Sequence, residues 1–552
     1  MTRAIDERSE RYVLDSCALD PLLATAIGVP GHDHELPDLS PDGFAAREEL
    51  DKQAIRDLAA LHAVDAREEL ARDAFLERVG LRVELADAQL KRSELSVIEG
   101  APHWIQEALT LMSCDSEEAA ATLAGRLAGV PRVLGDYRRT LHEEAARGRV
   151  VARRQYVETA ALIRGWTRPG SDFFAGLVAT PYDAIPDTLR AQLSSAAAAA
   201  SDAYTDLAGF LEREMAPLGR EHDGVGREHY ALASRYFLGA SVDLDATYAW
   251  GWDELARIER DMAEMADRIV PGGSIEQAAA ALDADPARNL ASRADFRAWM
   301  QERSDEVIDR FHGVHFDIPE PIRTLDCKVA PTNDGGAWYI PPTEDFSRPG
   351  TMWFSFTDSQ TRFATWQELT TVYHEGVPGH HLQCAQAVHN ADQLNRWQRL
   401  MCWISGHGEG WALYAERLMD ELGFFADPGE RLGFLDSQSF RAARVVVDIG
   451  VHLGLAIPAN PWNWRVGETW DAARALEFML AHTRMDESQI RFEVNRYLGW
   501  PGQAPSYKVG EKIWLEARED ASRRPGFDLK AFHTRALDLG SVPLDLLFQS
   551  TL

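Results

Sequence analysis

The chain has 552 residues, long enough to bury a large core. Its 57 basic and 87 acidic residues leave a net charge of −30, which excludes nucleic acid or an anionic membrane as the main partner, since both require basic surface. Hydrophobic residues make up 45% and charged residues 26%, values that exclude general disorder, and no run approaches the ~18 apolar residues of a membrane span.

The N-terminal MTRAIDERSERYV carries acids where a secretion signal would be apolar. Cys17, Cys114, Cys327, Cys384 and Cys402 are scattered, with no C-x-x-C. An odd, unclustered set reads as reduced thiols, so the expected compartment is the cytoplasm. The first ~320 residues carry the 3.6-residue periodicity of amphipathic helices, with runs near 46–98, 116–147 and 151–164. Five consecutive alanines mark a closely packed helix over Ser194–Met215, and another spans about 243–269 before Pro271-Gly272-Gly273.

The pattern changes near 316–356, where Pro319, Pro321, Pro331, Pro341, Pro342 and Pro349 interrupt helices. Between them, Ala337–Ile340 and Met352–Phe356 read as short strands of a small sheet. Helical periodicity resumes after Ser359. The expected fold is therefore mainly α, with a small β-sheet beside the helix that carries the site. The expected organisation is an N-terminal helical region, 1–320, and a C-terminal catalytic region, 321–552, with a cleft between the two halves.

The segment Tyr373-His374-Glu375-Gly376-Val377-Pro378-Gly379-His380-His381 carries the chemistry. Phe363, Trp366, Leu369 and Tyr373 fall at helical spacing, so His374-Glu375 sits near the end of a helix. A catalytic zinc takes two neutral imidazoles, a third ligand and an open position, and a glutamate beside the first histidine can act as general base on the attacking water. The usual spacing is H-E-x-x-H. Here the next histidines stand at +6 and +7. In an unbroken helix +6 lies about 120° off the first histidine and +7 about two turns along the same face. Pro378 cannot donate to the His374 carbonyl, and a bulge absorbing two residues would bring His380 back to the +4 place; a straighter chain would offer His381. Glu409, 29 residues after His380 in the run GHGEGWALYAE, starts a second helix and supplies a third ligand. Glu416, two turns on, could orient a ligand histidine, and His407 could reach substrate or cap the helix.

HEGVPGHHLQ, EGWALYAE and RYLGWPGQAPSYKVG together resemble the bacterial domain-of-unknown-function 885 family, which is itself similar to zincin-type helical metallopeptidases of the oligopeptidase and carboxypeptidase kind. The resemblance implies a large zincin-like helical fold and favours His380 as the second ligand, with His381 as a neighbour. It also implies that Tyr507, within Pro505-Ser506-Tyr507, donates a hydrogen bond to the tetrahedral oxyanion.

These readings combine into an expected zinc metallopeptidase of short peptides, carboxypeptidase-like. His374, His380 and Glu409 hold the metal, and Glu375 is the base. Tyr339, in the strand 337–340, aligns an extended peptide. Arg444, Arg496, Lys508 and the neutral donor His452 are candidates for gripping a substrate carboxylate. A hydrolase of non-peptide amides and a non-enzymatic helical binding protein with a vestigial site stay open as alternatives. The expected partners are a peptide or small amide, with a homodimer left open. G-x-S-x-G, a P-loop and the P-C-x-x-C of zinc deaminases are all missing.

Overall fold

The computed structural model describes residues 3–179, 185–330, 336–356 and 363–547. Pro331 and Ser359 lie outside the described residues. The fold is mainly helical, with two small sheets. Two compact units account for it: 1–225 with 495–500, and 226–494 with 501–552. This division falls near 225, whereas the sequence reading placed a boundary near 320. Helices from 227 onward belong to the second unit because they pack against later helices there. Leu244–Ile269 (α1), for instance, runs against Pro428–Leu453, and a methyl group built on Gly251 would come within 3.0 Å of Val445.

In the first unit the run near 46–98 divides into Pro41–Ala59 and Ala66–Asp87. Asp65 causes the restart: its side chain accepts from the Glu68 amide, one of the donors a new helix leaves unpaired. Glu117–Ala146 packs against the alanine-rich Asp187–Phe210, burying Leu127, Val130 and Leu134 with Ala200, Tyr204 and Leu207. The small alanine side chains let these helices approach closely. Arg126 is fully buried in this unit; its guanidinium donates to the carbonyls of Pro21, His32 and Glu35 and to Thr25 Oγ1, so its N–H groups are met by backbone rather than by a carboxylate.

In the second unit, β1 (Asn289–Leu290) pairs antiparallel with β5 (Phe363–Ala364). The other sheet has the order β2 (Leu325–Val329), β4 (Gly350–Ser355), β3 (Gly336–Ile340), with β2 parallel and β3 antiparallel to the central β4. β3 is thus an edge strand, with Tyr339 opposite Met352. Beyond the sheet come Thr365–Glu375 (α2), His380–His389 (α3), Ser405–Glu421 (α4), Pro428–Leu453 (α5) and Gln503–Ser522 (α6). Asp427 caps the start of α5 and Gly454, at φ 62°, closes its end.

Helices α4 and α6 meet backbone to backbone. A methyl group on Gly410 would lie 2.5 Å from the Gly510 carbonyl carbon, and one on Gly510 would lie 2.2 Å from the Gly406 oxygen. Only glycine permits this approach, and it fixes the N-terminal part of α4, just past whose first turn Glu409 stands.

Candidate metal centre

Helix α2 ends at Glu375, and residues 376–379 leave the helical path before α3 begins at His380. The excursion closes on itself: Gly379 N donates to the Tyr373 carbonyl at 3.1 Å, and His381 N to the Gly376 carbonyl at 3.1 Å. The Val377–Pro378 peptide is cis, and Trp411 Nε1, from α4, donates to the Pro378 carbonyl at 2.9 Å. The two residues beyond H-E-x-x-H spacing are taken up in this loop. His380 is thereby brought beside His374, with ring centroids 4.8 Å apart.

Three donors converge. His374 Nε2 and His380 Nε2 each lie 3.3 Å from Glu409 Oε2, and the donor atoms of all three residues fall within 4.8 Å of one another. Tetrahedral zinc with ligands at about 2.0–2.2 Å holds its donors roughly 3.4 Å apart, so the two histidine–glutamate edges already match that ion. Two borderline nitrogens and one carboxylate oxygen form the donor set of catalytic zinc sites. All three residues are largely withdrawn from solvent: His374 is 3% and His380 7% exposed, and the Glu409 side chain 15%.

A second layer fixes the first. Glu416 is fully buried and accepts from His374 Nδ1 at 2.7 Å. This bond puts the imidazole proton on Nδ1 and turns the Nε2 lone pair toward Glu409. The other Glu416 oxygen accepts from Thr370 Oγ1 at 2.5 Å and Ser437 Oγ at 3.4 Å. Burial pushes the carboxyls of Glu409 and Glu416 upward, but His380 and His374 hold Glu409, and His374 with Arg441 and Thr370 holds Glu416, below the usual range. Burial disfavours a charged His374, yet hydrogen bonds to Glu409 and Glu416 win and raise it to about 9. Two carboxylates around one imidazole mark an excess of negative charge, which suits a divalent cation.

Glu375 is 6% exposed, and its Oε2 has no hydrogen-bond partner. Burial raises its pKa, tempered by His380 and His374. A buried carboxyl poised upward, with one oxygen unengaged, fits a group that takes and returns a proton.

The remaining sequence candidates fall in different places. His381 turns away from the three donors: its Nδ1 meets the Tyr339 hydroxyl at 3.0 Å, its Nε2 the Ile322 carbonyl at 2.7 Å, and burial lowers it to about 4. Both ring nitrogens are thus engaged, and the histidine ties edge strand β3 to α3. His407 is 1% exposed and held neutral by burial, at about 3; its Nδ1 faces Gln383 Nε2 at 3.1 Å and its ring packs on Trp514. It links α4 to α3 rather than capping a helix. Arg444 is paired with Glu493 at 2.7 Å and lies over the Tyr507 ring at 4.8 Å. Lys508 is 1% exposed between Glu254 and Glu511. These carboxylates pair with both cations, which were candidates for gripping a substrate carboxylate. His452 is buried, stacked on Tyr230 and 3.7 Å from Asp448. Arg496 is 8% exposed in the first unit, with its guanidinium 5.1 Å from the Tyr497 ring. Tyr507 is half-buried on α6, one turn before the Gly510 contact.

Several site residues escape a sequence reading. Thr370 had a signal, since it stands one turn before His374 on the same face. Ser437 had none, because only tertiary packing brings α5 against α2. Trp403 is 52% exposed with its indole 5.8 Å from the His380 ring, and a methyl group on Gly408 would lie 2.2 Å from that indole.

The sequence model of a family described as bacterial protein of unknown function (DUF885) matches residues 21–550. Among solved structures, the chain is similar to a candidate lipoprotein from Colwellia psychrerythraea, at 22% identity and TM-score 0.85, over 99% of this chain and 97% of that one. It is also similar to a candidate lipoprotein of unknown function from Shewanella oneidensis, at 16% identity and TM-score 0.74, over 99% of each. At these identities the likeness is one of fold. No curated protein matches the sequence. No helix among the described residues is long and apolar enough to cross a membrane.

Proposed function

From the premise that this chain belongs to the bacterial DUF885 family, we propose that it is a zincin-like, zinc-dependent hydrolase of peptide bonds in short peptides, carboxypeptidase-like in action. The observation that carries this reading is the convergence of His374, His380 and Glu409 beside the unengaged carboxyl of Glu375. Those three residues would hold the ion. Zinc bound there supplies a Lewis acid that polarises a carbonyl and makes water a nucleophile near neutral pH. Glu375 takes the proton of the attacking water and delivers it to the leaving amine. Glu416 keeps His374 in the tautomer that presents Nε2. Tyr507 donates to the developing oxyanion, and the edge strand carrying Tyr339 pairs with the peptide backbone. Cytoplasmic residence belongs to the same reading, supported by five cysteines that form no disulfide.

The test is metal analysis of the purified protein together with product identification from a mixed-peptide digest. One zinc per chain and loss of single C-terminal residues are expected. A metal-free protein that leaves every peptide intact overturns the proposal. Cleavage restricted to non-peptide amides redirects it to that substrate class.

A further inference from the structure

Helix α5 presents one cation that no carboxylate neutralises. Among the described residues no acidic oxygen lies within 4.0 Å of the Arg441 guanidinium. Its Nη1 donates to Ser437 Oγ at 2.5 Å and to the Ser437 carbonyl at 3.4 Å, and its Nε is buried without any hydrogen-bond partner. An N–H withdrawn from water and left unpaired is costly, and a fork of such donors is the ordinary receptor for a carboxylate. Other basic groups nearby are engaged: Arg444 by Glu493, Arg417 and Lys508 by Glu511.

Its position relates it to the candidate metal centre. Ser437 joins Arg441 to Glu416, and Glu416 holds His374, so the guanidinium stands two side chains from a candidate ligand. Its charge also acts on Glu368, on the same helix as Glu375. Burial pushes Glu368 up to about 7, which lessens the repulsion that an arriving carboxylate would meet. The Phe440 ring lies 5.4 Å from the guanidinium carbon.

We propose that Arg441 anchors the terminal carboxylate of the substrate, so that the site selects peptides with a free C-terminus. The proposal rests on the hydrolase reading above and gives it a substrate class. The competing role for Arg441 is balance of charge around Glu375 and Glu416, and that role is indifferent to whether a substrate ends in a carboxylate or an amide.

The test uses the full chain carrying Glu375→Gln to stop turnover, with calorimetric binding of a pool of Ala-Ala-Xaa tripeptides as free acids and as C-terminal amides. Free acids are expected to bind about tenfold or more tightly than amides. Adding Arg441→Met should erase that preference while leaving amide affinity and metal content unchanged. Adding Arg441→Lys should restore part of it, which shows that loss in the methionine variant is not a folding failure. A preference that survives Arg441→Met, equal weakening of acids and amides, or no binding from either pool overturns the anchor. Arg441-dependent binding of acids by a parent protein that cuts no peptide keeps the anchor and overturns the peptidase reading instead.

Discussion

Gly379→Ala puts a methyl group where the structure has backbone. The new Cβ would lie 1.9 Å from the His374 carbonyl oxygen and 2.5 Å from that of Tyr373. Real Cβ atoms essentially never come closer than 3.0 Å, so the His374 contact must open by about 1.1 Å. Neither side can yield by a rotamer change, because both obstacles are main chain. The displacement falls between the two histidines whose Nε2 atoms share Glu409 Oε2 at 3.3 Å. Metal–ligand distances tolerate about 0.2 Å, several times less than the forced shift. Loss of an outer partner alone costs about 10–100-fold in metal affinity, so the upper end, ~100-fold, is a floor here. Overpacking should also destabilise the fold by roughly 1–3 kcal/mol. Competition titration of zinc, with thermal unfolding followed by circular dichroism, measures both effects. Gly135→Ala is the control: it sits within a helix, its added Cβ meets nothing within 4 Å, and it should leave zinc binding intact while gaining up to ~1 kcal/mol of stability. A cooperatively folded Gly379→Ala protein that binds zinc as tightly as the parent would refute the argument that this glycine sets the spacing of the two histidines.

Glu375→Gln should lower kcat by about 10²–10⁴-fold at unchanged zinc stoichiometry; unchanged turnover removes Glu375 as the base. Glu416→Gln keeps the shape but loses the charge facing His374 Nδ1, and zinc affinity should fall about 10–100-fold with the apo fold intact, as read by competition titration. In the first unit, burial holds His103 at about 4, below an ordinary imidazole. The unfolded chain therefore binds that proton first, and stability should decline as pH falls from about 6.5 toward 4, by up to ~1.4 kcal/mol per pH unit for this group. Urea unfolding at pH 7 and pH 5 checks this, and a His103→Phe variant with an undiminished pH slope contradicts it.

Sequence alone determined the local elements around the site. The helix ending at His374-Glu375, the helix opening through Gly406–Trp411 and the strand around Tyr339 are all written in short-range periodicity and in proline placement. Such elements depend on neighbours two to four residues away, and those neighbours are visible in the chain. Residue types also narrowed the chemistry, since three histidines and an acid within eight residues are rare outside metal and acid–base sites. Tertiary structure decided which groups meet. His380 faces Glu409 while His381 turns to Tyr339, because the 376–379 loop closes on the Tyr373 carbonyl and Trp411 reaches it from a distant helix. Arg444 and Lys508 are neutralised, whereas Arg441 is not, because packing sets Glu493 against Arg444 and sets Glu254 of α1 and Glu511 of α6 against Lys508, with no carboxylate beside Arg441 among the described residues. The unit boundary near 225 follows from the same cause. Contacts between helices far apart in the chain are set by side-chain shape and glycine approaches such as Gly410 against Gly510, and no periodicity records them.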